Sequence, residues 1–129
     1  MPELVTYIGV YKDPSTIGDL YEVVVERTPC DSDGRAVGKT TAYHLNPRTD
    51  LVNHSPTGVC WGYCGSGPAQ CALGILADYL GDDQRALALY QDFKFAVISN
   101  FSMDSGWFLT DREIENAITK ITVERMKRL

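Results

Sequence analysis

Long apolar runs are absent from this chain of 129 residues. Every hydrophobic stretch meets a charge or a glycine well before the roughly 18 residues that a membrane-spanning helix needs, so no bilayer contact is expected. The first residues, Met1-Pro2-Glu3-Leu4, show no basic segment leading into an apolar one. Without such a leader the expected location is cytoplasmic. Positive charge is also scarce: 12 Lys and Arg against 17 Asp and Glu leave a net charge of −5. Broad nucleic-acid binding needs a basic surface to neutralise phosphates, and this composition excludes it. A few oriented donors can still hold one small phosphorylated ligand against that field.

Histidine occurs twice and cysteine four times. The spacing His54-x5-Cys60-x3-Cys64-x6-Cys71 offers one loose pair where a closed zinc site has two short ones, so no metal and no cofactor are expected. Cys30 stands apart from the other three. In a reducing compartment all four read as free thiols, mostly small buried side chains.

With 44% apolar and 22% charged residues the composition is globular, and one domain over residues 1–129 is expected. Leu4 to Tyr11 is rich in β-branched and aromatic residues and ends at the turn Lys12-Asp13-Pro14-Ser15. Asp19 to Thr28 alternates, with Tyr21, Val23, Val25 and Arg27 predicted to face the core. The Asp33-Gly34 turn leads to a strand over Lys39 to Leu45, and Leu51 to His54 is expected to add a short fourth one. After Pro68 the period changes: Ala72, Leu73, Ile75, Leu76, Tyr79 and Leu80 recur at helical spacing up to Gly81. A second helix, capped by Asp82 or Asp83, runs to about Asn100 on the stripe Ala86, Tyr90, Phe93, Val97 and Phe101. A third starts at the capping box Thr110-x-x-Glu113 and turns Ile114, Ala117, Ile118 and Ile121 inward. Strands followed by helices define an α+β fold: an antiparallel sheet of about four strands in the N-terminal half, packed with three helices in the C-terminal half.

The segment Ser55 to Gln70 concentrates the chemistry. Glycines at 58, 62, 65 and 67 leave backbone N–H groups uncovered, and the loop enters a helix near Pro68, where the dipole favours anions. Trp61 and Tyr63 offer flat surfaces for a base or ribose, and Ser66 can cap the helix or donate to a ligand. The P-loop pattern is missing its lysine, which is replaced by Pro68, and the dinucleotide fingerprint lacks its βαβ setting. The expected ligand-binding set is Trp61, Gly62, Tyr63, Gly65, Ser66, Gly67, Gln70 and His54. The competing view is a plain strand-to-helix connection, with Ser66 as N-cap and Trp61 and Tyr63 plugging the core. Cys64 near a helix start could be a reactive thiol and His54 an acid–base group, but no pairing of the two is evident, so no catalytic residue is assigned.

The stretches Asn53 to Gly58 (NHSPTG), WGY, GSGPAQ, GDD and LYQDFK resemble a family of small uncharacterised proteins of prokaryotes, their phages and plasmids, whose loop reads WGYGGSGPA. The resemblance spans Asn53 to about Lys94 and departs at Cys60 and at Cys64, where the family usually has glycine. More loosely, the chain is similar to phage anti-Thoeris sponge proteins. That similarity implies an oligomeric anti-defence protein which sequesters a cyclic ADP-ribose signal. The expected function is therefore capture of a nucleotide-like phosphorylated ligand by a homo-oligomer that is not an enzyme. The alternatives are an acidic interaction factor that occludes a host protein, and a small Cys/His enzyme. The oligomer expectation rests on the third helix, whose apolar stripe competes with two other helices for one small sheet face.

Overall fold

Alternation of Val, Tyr and Ile with polar residues makes β1 (Glu3–Tyr11) and β2 (Tyr21–Pro29) a long antiparallel pair in which Tyr7 faces Val25 and Gly9 faces Val23. The computed structural model describes residues 2–15, 17–56 and 58–129; Thr57 of the expected NHSPTG stretch lies outside the described residues. β3 (Thr41–His44) pairs with β2, and β4 (Trp107–Thr110) pairs with β1, giving the order β3-β2-β1-β4, antiparallel throughout. Val5, Tyr7, Val23, Val25, Trp107 and Leu109 are buried on one face of this sheet. The alternate set, including Thr6, Ile8, Val24 and Glu26, stays half-buried. The fold is α+β, as the order of periodicities predicts.

The fourth strand is not the expected one. Leu51 to His54 forms no strand, because its backbone is tied to a side chain: the Gln70 amide oxygen accepts from the N–H of His54 at 2.8 Å. Trp107–Thr110, which reads as loop, becomes β4 by pairing across about a hundred residues with β1.

The helices follow their caps. α1 (Ser66–Leu80) starts two residues before Pro68 and ends at Gly81 in the left-handed conformation, φ 61°. Its N-cap is Gly65, with no side-chain cap, so Ser66 does not take that role. Asp82 caps α2 (Asp83–Ala96) by accepting from the Arg85 N–H, and a 3-10 turn over Ile98–Asn100 replaces its expected last turn. The capping box of Thr110 and Glu113 opens α3 (Asp111–Lys127). Ile114, Ile118 and Ile121 are buried within this one chain, where α3 lies against α2, β4 and β1. That covers the stripe on which the expected second subunit rested. No helix among the described residues is long and apolar enough to cross a membrane.

A polar clamp fixes α1 to the sheet. The Tyr7 and Tyr43 hydroxyls donate to the two oxygens of Asp78 at 2.6 and 2.7 Å, and Arg27 bridges Asp78 at 2.8 Å while its Nε donates to Tyr43. α1 thus presents its N-terminus at one fixed place beside the start of β2.

Candidate functional site

The connection between β3 and α1 owes its path to three contacts. Gly74 in mid-helix lets Leu45 to Pro47 cross α1, since a Cβ there would sit 2.9 Å from the Asn46 carbonyl oxygen. Arg48 holds the following turn to α2 with 3.0 Å bonds to both oxygens of Asp83. The buried Gln70 side chain then accepts from His54 and Ser55 N–H groups and donates to the Pro47 carbonyl. Gln70 is expended on backbone and turned away from solvent. An amide with this many bonds to one loop is a positioning group, and it offers a ligand nothing.

Trp61 is likewise taken up by the core. It is fully buried, donates its indole N–H to the Ser105 carbonyl at 3.0 Å, and meets Tyr21 and Trp107 edge-on at 4.8 and 5.3 Å. The expectation that it stacks on a ligand fails because its faces are already packed. Gly62, at φ 92°, donates to the Ile98 carbonyl, and a side chain there would strike Met103. His54 pairs its Nε2 with the Tyr90 hydroxyl at 2.8 Å, behind the loop.

Tyr63, Ser66 and Gly67 do converge. Together with Asp19, Tyr21 and Cys60 they line a cavity of about 310 Å³ at the N-terminus of α1. That volume is at the lower end of the ~300–1,000 Å³ typical of small-ligand sites. A second depression of about 220 Å³ shares Asp19 and Tyr21 and continues to Glu22 and His44. Tyr63 is 43% exposed and lies over Gly65, where any Cβ would enter its ring. Its hydroxyl meets the Cys60 Sγ at 3.2 Å. Gly67 is buried against that same sulfur, so a β-carbon at 67 fits only if the sulfur moves aside.

The electrostatics are those of a neutral donor site with one acid. The N–H groups of Ser66 and Gly67 have no partner among the described residues, and Pro68 has no N–H to offer. Burial pushes the Cys60 thiol up, and hydrogen bonding to that thiol, with burial, pushes the Tyr63 phenol up to about 12. Both are therefore protonated at neutral pH. Among the described residues Asp19 is the one carboxylate that lines the larger cavity, and no Lys or Arg does. Two backbone donors at the positive end of a fifteen-residue helix suit an anionic or carbonyl oxygen. Asp19 at the same cavity suits hydroxyl donors. Asp19 and Tyr21 escape sequence reasoning because only the sheet brings them beside the loop.

The thiols divide by position: Cys30 and Cys71 are buried, Cys60 half-buried and Cys64 exposed, all free. Among the described residues no group of three or more His, Cys, Asp and Glu could hold a metal ion.

Residues 26–120 match the model of a family of unknown function, DUF6166, and the chain belongs to that family. The matched region contains β3, β4, the loop and the first two helices. No curated protein and no solved structure matches the chain.

Proposed function

We propose that this member of the DUF6166 family binds a small nucleotide-like phosphorylated ligand in the cavity at the start of α1 and holds it without turning it over. The observation that carries this is the pair of Ser66 and Gly67 N–H groups, without a partner among the described residues, in two residues that line that cavity. In this account the amides receive a phosphate oxygen, Asp19 accepts from sugar hydroxyls, and the exposed Tyr63 ring is the stacking surface. Capture rather than catalysis is supported by where the candidate groups point: the Cys60 sulfur meets the Tyr63 hydroxyl at 3.2 Å. Cys60 is a thiol raised by burial, and His54 is turned to Tyr90 instead of the cavity. The form of capture proposed is sequestration of a signal such as cyclic ADP-ribose.

Native mass spectrometry of freshly purified protein tests the proposal, followed by calorimetry with cyclic ADP-ribose, ADP-ribose and AMP. A retained mass of several hundred daltons, or saturable heat with one of the three, is expected. A bare chain that takes up none of them would overturn it.

A further inference from the structure

The cavity at the start of α1 does not end at Asp19. β3 stops at His44, and the chain then leaves the sheet through Leu45 to Pro47 to cross α1, whereas β2 begins as far back as Tyr21. The Leu45 N–H still bonds the Val23 carbonyl at 2.9 Å; past it the two strands part. The notch they leave is the depression of about 220 Å³. Because it lies where the sheet ends, both faces contribute to it. Val23 and Leu45 reach it from the core side, and Glu22 and His44, which alternate with them, from the outer side. It shares Asp19, Tyr21, Gly58 and Val59 with the cavity of about 310 Å³, so the two form one trough.

The polar groups of the notch decide what it takes. Asp19 and His44 are exposed, and their side chains make no hydrogen bond among the described residues. Glu22 is tied through one oxygen to the Lys12 ammonium at 2.6 Å, a bond that holds its carboxyl below the usual range. Its second oxygen has no partner among the described residues and stays an acceptor. No Lys or Arg lines the notch.

A second phosphate would meet two carboxylates there, with Lys12 already committed to Glu22. An ammonium group would need acceptors alone and would find an imidazole among them. Hydroxyl groups both donate and accept, and so do the groups on offer: two carboxylates that accept and an imidazole that can do either. Carboxylates bonded to ribose hydroxyls are also how dinucleotide sites hold their sugars.

Resting on the reading that the Ser66 and Gly67 amides hold a phosphate, we infer that the notch is a second sugar subsite. The ligand is then a nucleotide whose phosphate carries a further hydroxyl-rich ring. Base and phosphate occupy the cavity, Asp19 stands at the junction, and the second ring lies against Glu22 and His44. Those two residues select such a ligand over a mononucleotide.

Calorimetry on the whole chain with ADP-ribose, ADP and AMP tests this in the wild type, His44→Ala and Glu22→Gln. ADP-ribose is expected to bind about tenfold tighter than AMP, as one hydrogen bond to a charged group would give, and ADP no tighter than AMP. Each substitution is expected to remove the advantage and to leave the affinity for AMP as in the wild type. His44→Ala keeps both carboxylates, so its effect does not reflect relief of phosphate repulsion. Circular dichroism verifies that both variants fold. Equal affinities for ADP-ribose and AMP, ADP binding as tightly as ADP-ribose, or an advantage that survives both substitutions would overturn the second subsite and leave the cavity reading standing. Uptake of none of the three nucleotides would overturn both.

Discussion

The Arg27 guanidinium reaches from β2 to Asp78 on α1 at 2.8 Å, and the same carboxylate takes the Tyr7 hydroxyl from β1 and the Tyr43 hydroxyl from β3. One helix residue therefore ties three strands. With side chains only 23% and 19% exposed, the pair is shielded enough to matter. Asp78→Asn should destabilise the fold by about 2–3 kcal/mol, because one amide oxygen cannot serve three donors. Urea denaturation measures it; a change under ~0.5 kcal/mol, the range of ordinary surface substitutions, would contradict the clamp.

The clamp also sets an alkaline limit. Tyr7 lies far above its ordinary value of 10.0, through burial first and then through the bond to Asp78 and its charge. A raised folded value favours the protonated phenol in the native state. That contribution is whole below 10.0 and is lost as pH rises beyond it. Stability measured across this range should fall more gently in Tyr7→Phe than in the wild type. Identical slopes would remove Tyr7 from the account.

Gln70 links the core to the candidate site. Gln70→Ala removes three hydrogen bonds to the half-buried backbone of the loop, at a cost of about 2–4 kcal/mol. It also frees the loop wall at Ser55, which lines the cavity. Thermal melting should show the loss, and exchange of the His54 and Ser55 amides should speed up more than that of the helix interiors. Unchanged exchange at those two amides would contradict the positioning role.

Much of this was readable in advance, for local reasons. Helix ends obey signals carried by a few neighbouring residues, so Asp82, Thr110 with Glu113, and Gly81 locate α1 to α3 within a turn. The strand pair β1–β2 is equally legible from its alternation. β4 was not, because four residues after Gly106 gain strand geometry only from a distant partner. The site was half legible. The loop pattern points to Tyr63, Ser66 and Gly67, but cannot tell an aromatic that faces a ligand from one, such as Trp61, that completes the core. Nor can it reveal Asp19, which approaches through the sheet.

Gly67 separates binding from folding. A β-carbon at 67 would displace the Cys60 sulfur, which can rotate away, although its contact with Tyr63 is then lost. Gly67→Val is expected to abolish ligand binding while circular dichroism remains helical. Cys60→Ala should partly restore binding to Gly67→Ala by emptying the space. A Gly67→Val protein that binds as tightly as wild type would exclude the loop.

The most direct measurement is a nitrogen–proton NMR titration of the whole chain with ADP-ribose and cyclic ADP-ribose. The account predicts saturable shifts of the Ser66 and Gly67 amides, with Tyr63 and the residues around Asp19 moving in step and α3 left still. Resonances of Ser66 and Gly67 that stay fixed at saturating concentrations of both nucleotides, or shifts confined to α2 and α3, would contradict it.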